Sequence, residues 1–358
     1  MKIGATPFIS ENIAPPNAKR LKIFNGDDEV CTVDISKMQP SNLGEKLYSF
    51  GLLGDMHIGS SGHDGYLEDA LDLFVNKGCN FWTHTGDITN LGFYDVDGNF
   101  STAQFDSYNT IIRKDKYNNL PVYGICGNHE SYNDTTLNKC IMDNLDKLLE
   151  YTGTPLYYTM TSEADNNPTE MGGNIYNEII GNDVFIFVGQ PSQTPTSGYR
   201  DVWEEQLNWL EETLSANKDK RCFVYEHLTL TDDAGNPNNI HNAFWGDLES
   251  RLFSILNHYK NVIVIHGHSH LDLGEQLNFS YANYTAKNGF KSIHAGAPCG
   301  GRITVDGVLQ KNEGVNGCGK PTKRCGYVVD VYKNHIVLKG YYFATGELIP
   351  IAQYCISN

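Results

Sequence analysis

The stretch Tyr48-Ser49-Phe50-Gly51-Leu52-Leu53-Gly54-Asp55-Met56-His57 decides the fold: an apolar run of strand length, a glycine, then an acid and an imidazole. Five more runs share its character, at Cys79–Thr85, Pro121–Cys126, Val184–Val188, Cys222–Tyr225 and Val262–Ile265. Continuous apolar runs of about five to seven residues are what strands buried on both faces look like. Helical patterns lie between them, at Leu67–Asn76, Thr102–Lys114, Lys139–Tyr151, Asp201–Lys218 and Ala243–Lys260. In the clearest, Trp203, Leu207, Leu210 and Leu214 recur at helical spacing beside an acidic face. Strands alternating with helices predict an α/β layered domain. After residue 290 the pattern turns to strands alone, with Gly326–Tyr332, His335–Phe343 and Ile349–Tyr354. At the other end, Leu21–Phe24 and Val30–Ile35 flank Asn25-Gly26, a hairpin signal. Residues 1–45 therefore read as a β-rich appendage and 46–358 as the main domain.

Composition narrows the class. The 358 residues carry 27 Lys and Arg against 43 Asp and Glu, a formal charge of −16, and 40% are hydrophobic. Such a chain buries a sizeable core, which excludes wholesale disorder. Its apolar runs fall short of the roughly 20 residues of a membrane span. The start, Met1 to Glu11, lacks the apolar region of a signal peptide, so a cytoplasmic protein away from membranes is expected. The acidic balance opposes binding to a nucleic-acid backbone; any cationic site must come from bound metal. Nine cysteines, odd in number and without a CxxC pair, read as reduced thiols. Cys318 and Cys325 alone are close enough in sequence to raise a pairing.

The chemistry sits where the apolar runs end. The first is followed by Asp55-Met56-His57, the second by Gly86-Asp87-Ile88-Thr89-Asn90, the third by Gly127-Asn128-His129-Glu130. Later runs end in Glu226-His227 and in His266-Gly267-His268-Ser269-His270. Ligand sites in open α/β sheets form at the carboxyl ends of strands, and Asp, His and Asn are the N/O donors that suit Zn, Mn, Fe or Co. Any one of these clusters alone is more often an ordinary surface or core residue. Five in order, each closing an apolar run, are not.

Asp55-x-His57, Gly86-Asp87, Gly127-Asn128-His129-Glu130, His227 and Gly267-His268-x-His270 resemble, in order, the five motifs of the calcineurin-like metallophosphoesterases. The resemblance spans roughly Tyr48 to His270 and implies a four-layer α/β/β/α sandwich, with the late strands expected in its second sheet. It also implies two divalent or trivalent transition-metal ions, Mn, Fe or Zn. One would be held by Asp55, His57, Asp87 and His270, the other by Asp87, Asn128, His227 and His268, with Asp87 bridging. Two such ions clamp the attacking and leaving oxygens of an in-line displacement and make hydroxide available near neutral pH. Asn128 adds an oxygen ligand without adding charge. His129 would orient the phosphate or protonate the leaving oxygen, and Glu130 is read either as a hydrogen-bond partner holding His129 or as an ordinary loop carboxylate. Many family members have Asp where this chain has Glu130. Asn90 is read as shaping its loop rather than touching substrate.

Other histidines have plainer readings. His266 should pack away from His268, His84 should hold a structural hydrogen bond, His63 beside Asp64 is a weaker candidate for reaching substrate, and His294 is one for lining the mouth. Gly314-Val315-Asn316-Gly317-Cys318-Gly319-Lys320 mimics a phosphate loop, but Pro321 replaces the Ser/Thr such a loop needs. Trp203, Trp209 and Trp245 are read as packing residues, and loops 92–101, 161–176 and 231–242 as walls of the site. The function expected is hydrolysis of a phosphate ester by a metal-bound hydroxide, on a small phosphodiester rather than a nucleic acid. A phosphomonoesterase, or a binding or assembly protein that keeps the fold and docks through residues 1–45, stands as the alternative.

Overall fold

In chain order the elements are β1 (Arg20–Asn25), β2 (Asp28–Asp34), β3 (Lys46–Leu53), α1 (Gly65–Asn76), β4 (Phe81–His84), α2 (Ala103–Ile112), β5 (Val122–Gly124), β6 (Ile175–Ile180), β7 (Asp183–Val188), α3 (Arg200–Ala216), β8 (Cys222–Tyr225), α4 (Glu249–His258), β9 (Val262–His266), β10 (Tyr284–Thr285), β11 (Lys291–His294), β12 (Thr304–Val305), β13 (Val308–Leu309), β14 (Cys325–Tyr332), β15 (His335–Tyr342) and β16 (Glu347–Ser357). The computed structural model describes residues 20–25, 28–34, 43–59, 65–92, 95, 97–99, 101–130, 175–189, 200–228, 248–270, 272–274, 284–285, 290–300, 304–305, 308–309 and 323–357. The expected helix Lys139–Tyr151, His63 and Asp64, Trp245, Cys318 and the 314–320 loop lie outside these residues. So do the proposed wall 231–242 and all of 161–176 except Ile175 and Tyr176, which begin β6.

The apolar runs become strands because each has two faces to bury. In β7, Phe185 and Phe187 point to one cluster while Val184, Ile186 and Val188 point to another. The same alternation divides Phe223 and Tyr225 from Cys222 and Val224, and Ile263 and Ile265 from Val262 and Val264. In β3, Tyr48, Phe50 and Leu52 face the first cluster and Leu53 a third, which contains α1 and α2. Burying each large side chain contributes about 1.5–3 kcal/mol.

These three apolar seams separate four layers. One six-stranded sheet has the order β16-β15-β14-β3-β4-β5, the other β10-β11-β9-β8-β7-β6. The sheets pack face to face through aromatic residues, with Phe50 edge-on to Phe185 at 5.5 Å and to Phe223 at 5.7 Å. α1 and α2 cover the first sheet through Leu67, Phe74, Phe105 and Tyr108. α3 and α4 cover the second through Trp203, Leu207, Trp209, Leu210, Leu252 and Leu256. This is the α/β/β/α sandwich expected. At the amino ends of the strands, Tyr48 donates to Asp183 (2.6 Å), which also receives two hydrogen bonds from Arg221.

One expectation needs correcting, and one strand was not foreseen. The late strands β14, β15 and β16 join the first sheet, not the second; β14 pairs antiparallel with β3, Val329 opposite Phe50. β3 is buried on both faces and has β4 along one edge, so its other edge needed a partner. β6, which the apolar pattern did not reveal, is an edge strand antiparallel to β7. The N-terminal hairpin forms as expected, β1 pairing with β2. None of the six described cysteines, Cys325 among them, is in a disulfide.

Candidate metal centre

β3, β4 and β5 run parallel, as do β8 and β9, so their carboxyl ends release five loops toward one place. Backbone hydrogen bonds extend past the strand ends: Asp55 N–H to Gly86 O (3.1 Å), His57 N–H to Asp87 O (2.9 Å), and Gly267 N–H to His227 O (3.0 Å). Bonds at the ligands also cross between the sheets. His268 N–H donates to the Asp55 carboxylate at 2.9 Å, and His227 Nδ1 donates to Thr85 O at 2.7 Å. Close approach demands glycine twice. A Cβ on Gly127 would stand 2.3 Å from Asp87 Oδ1, and one on Gly267 would stand 2.7 Å from Asp55 Oδ2.

The structure brings the seven expected residues into two groups that share Asp87. In the first, His270 Nε2 lies 3.1 Å from Asp55 Oδ1 and 2.9 Å from His57 Nε2, and His57 Nε2 is 3.5 Å from Asp87 Oδ2. In the second, His227 Nε2 lies 3.3 Å from the same Asp87 Oδ2, 2.9 Å from Asn128 Oδ1 and 3.3 Å from His268 Nδ1. Asp87 Oδ1 receives the His129 N–H at 2.8 Å, which leaves Oδ2 facing both groups.

The donor chemistry fits a metal. In its neutral form His227 gives its Nδ1 hydrogen to Thr85, so its Nε2 lone pair faces two other acceptors, Asp87 Oδ2 and Asn128 Oδ1, with His268 Nδ1 2.8 Å from the same amide oxygen. Acceptors that converge on one another call for a cation between them. Two donors about 2.1 Å from one ion stand about 3.0 Å apart at a right angle and about 3.4 Å at the tetrahedral angle, and the separations here run from 2.9 to 3.5 Å. Without an ion, a proton takes the cation's place: burial opposes charge on His227, yet Asp87 raises its imidazole to about 10. Burial alone would raise the Asp87 carboxyl, but His227, His129 and His57 hold it well below the ordinary carboxylate value.

Backbone strain marks the same residues. Among the described residues, the non-glycine positions with positive φ are Asp55 (42°), His57 (48°), Asp87 (50°), His268 (68°) and His270 (51°). All five are expected ligands. Left-handed conformations cost on the order of 1–3 kcal/mol each and persist where the surroundings impose them, characteristically at functional sites. Asp and His tolerate this region better than most side chains.

The remaining residues fall into place around this cluster. Asp55, His57, Asp87, His227 and His270 are buried, while Asn128, His129 and His268 are half-buried and form its accessible side. His129 Nδ1 bonds to Asn90 O at 2.7 Å. Glu130 does not hold His129: its carboxylate accepts from Thr89 N–H (2.9 Å), Thr89 Oγ1 (3.0 Å) and Gly127 N–H (2.8 Å). It ties the second motif loop to the third, and the backbone of Asn90 orients the imidazole. Asn90 thus shapes its loop, as expected, with its N–H on Gln104 Oε1. His84 accepts from Gly86 N–H, a structural role as expected. His266 is buried beside the His294 ring, and burial lowers it to about 4. His294 is not at the mouth; it is buried, with Nε2 2.7 Å from Ser269 Oγ and Nδ1 accepting from Gly296 N–H.

Comparison with known proteins agrees with this geometry. The profile of the calcineurin-like phosphoesterase family matches residues 48–272. Among solved structures, the fold is similar to GAP50, described as the anchor in the inner membrane complex of Plasmodium, at 15% identity and TM-score 0.55, covering 87% of this chain and 89% of that one. A dimetal phosphatase from Danio rerio is similar at 14% identity and TM-score 0.53, over 87% and 99% of the two chains. Purple acid phosphatase PPD1 from yellow lupin (Lupinus luteus) seeds is similar at 13% identity and TM-score 0.50, over 89% and 55%. At such identities the likeness is one of fold. No curated protein sequence matches.

Proposed function

The chain belongs to the calcineurin-like phosphoesterase family, and from that premise we propose that it hydrolyses phosphate esters at two metal ions, Mn, Fe or Zn. Asp55, His57, Asp87 and His270 would hold one ion; Asp87, Asn128, His227 and His268 would hold the other. The observation that carries this reading is Asp87 Oδ2, a buried oxygen 3.5 Å from His57 of one group and 3.3 Å from His227 of the other. When bound, the ions supply Lewis acidity and a nucleophilic hydroxide at neutral pH.

The chain's own residues divide the remaining work. Asp87 orients both groups and, through Oδ1, fixes the His129 backbone. Asn128 contributes an amide oxygen, so the centre carries two carboxylates rather than three and stays cationic enough for a phosphate. His129 gives its Nδ1 hydrogen to Asn90 O. Its Nε2 is therefore the nitrogen that exchanges a proton, and a general acid there protonates the departing oxygen.

For the ester class we favour a small phosphodiester. The formal charge of −16 argues against a long polyanion. Among the described residues no helix is long and apolar enough to cross a membrane; six described cysteines outside any disulfide support a reducing, cytoplasmic setting. We read residues 1–45 as a separate contact element. The fold likeness to the Plasmodium anchor raises the second reading, a binding or assembly protein. Retention of every expected ligand, five of them in strained backbone, favours catalysis. The test is elemental analysis of the purified protein with hydrolysis of bis-p-nitrophenyl phosphate and p-nitrophenyl phosphate in Mn²⁺. About two metals per chain with faster diester cleavage is the expected result. A monoester preference overturns the diester assignment, and neither metal nor turnover overturns the enzyme reading.

A further inference from the structure

The chain from β11 onward lies beyond the residues matched by the family profile, yet it touches the centre at three points. Gly296 O accepts the N–H of Gly54, directly before Asp55 (3.1 Å). His294 holds Ser269, between His268 and His270. Cys299 Sγ meets His270 Nδ1 at 3.7 Å.

We propose that Cys299 is a positioning residue for His270, its sulfur accepting the Nδ1 hydrogen so that Nε2 is aimed, lone pair outward, at the place shared with Asp55 and His57. The proposal rests on the dinuclear reading above. Two other roles for this thiol fit the geometry less well. Atoms of His57, His270 and Cys299 fall within 4.8 Å of one another, the spacing of a ligand trio. His270, however, presents Nε2 to Asp55 at 3.1 Å and Nδ1 to the sulfur, so the thiol sits behind the ring rather than within the carboxylate-lined groups. An inert packing thiol is the other role. Against it stands the directed contact to a ring nitrogen, because a metal-bound imidazole needs an acceptor for its second N–H.

The surroundings hold the thiol still, as a positioning group requires. Cys299 is fully buried and packs with Tyr66 and Ala297. The Arg324 guanidinium lies 3.3 Å over the Tyr66 ring, and Ala297 O accepts from Gly300 N–H (3.1 Å) and Cys325 N–H (3.2 Å). A neutral sulfur also gives His270 its acceptor without adding a third negative charge beside Asp55 and Asp87.

The experiment uses the full chain, stripped of metal and titrated with Zn²⁺ by calorimetry, in wild type, Cys299→Ser and Cys299→Ala, alongside the thermal midpoint of each metal-free protein. Serine keeps an acceptor in place. The alanine variant should bind one of two ions about 10–100-fold more weakly, with serine restoring most of that loss, the usual range for a ligand's outer partner. Wild-type affinity for both ions in the alanine variant overturns the proposal. So does equal weakening of both ions in both variants together with a lowered metal-free midpoint, which is the signature of packing alone. If the wild type itself takes up no Zn²⁺, the dinuclear reading fails and this inference with it.

Discussion

Replacing Glu130 with Gln exchanges one oxygen for an NH₂ group at the join between two motif loops. In the native protein Oε1 accepts from both donors of Thr89, and Oε2 accepts from Gly127 N–H at 2.8 Å. Glutamine has one acceptor oxygen. Its best orientation keeps Thr89 and turns the NH₂ group toward Gly127 N–H, donor against donor, stranding a buried N–H. That costs about 1–3 kcal/mol. One effect opposes it: burial, and then Asp87, already hold the Glu130 carboxyl above its ordinary value, so removing the charge recovers part of the loss. The stranded Gly127 N–H outweighs that recovery, and the net expected loss is about 1–2 kcal/mol. Urea unfolding of the metal-free protein reads this term directly. Turnover should fall further than stability, because Asn128 and His129 ride on the displaced loop and a misplacement of about 1 Å costs roughly 10²-fold. The measurement is kcat on bis-p-nitrophenyl phosphate at saturating Mn²⁺. A glutamine variant within about 0.3 kcal/mol and twofold of wild type would refute the assignment of Glu130 as the tie between loops.

Asp87→Asn should weaken both metals, since one carboxylate oxygen faces both groups; metal analysis that finds one ion at native affinity rules out the bridging role. His129→Ala should keep both metals and lose turnover by about 10²–10⁴-fold, least for substrates with good leaving groups, which need little protonation. Equal losses across leaving groups would make it a phosphate-positioning residue instead. His84 and His266 are lowered by burial to about 3 and about 4 from 6.5. Unfolding frees them to bind protons, so stability is full above 6.5 and declines as pH falls toward those values, by roughly 2 kcal/mol per histidine at pH 5. His84→Asn, which keeps an acceptor for Gly86 N–H, should flatten this acid limb in urea midpoints measured from pH 7.5 to 5; an unchanged slope counts against it.

Most of this arrangement was legible because two faces of each central strand are buried and each strand ends at the site. The runs around Phe50, Phe185, Phe223 and Ile263 are continuous for that reason, and their polar termini stand out against them. β6 was illegible because it is an edge strand, with Ile179 54% exposed, so its pattern is neither continuous nor alternating. The late strands were seen but assigned to the wrong sheet, since apolar pattern does not say which free edge a strand takes. Around the centre, identities were readable and partners were not. Sequence proximity suggested that Glu130 holds His129, whereas the folded loops give it Thr89 and Gly127. Cys299 carried no signal at all, as one thiol among nine far from every motif.

The left-handed backbone at Asp55, His57, Asp87, His268 and His270 sets the direction in which this lineage would drift. Glycine adopts that conformation without the penalty of on the order of 1–2 kcal/mol that a Cβ incurs. As far as the backbone is concerned, a mutation to glycine at any of these positions is a stabilising one. Selection for robustness alone therefore pulls against the very residues that give the centre its chemistry. Holding five such residues in a strained geometry trades stability for the proposed activity.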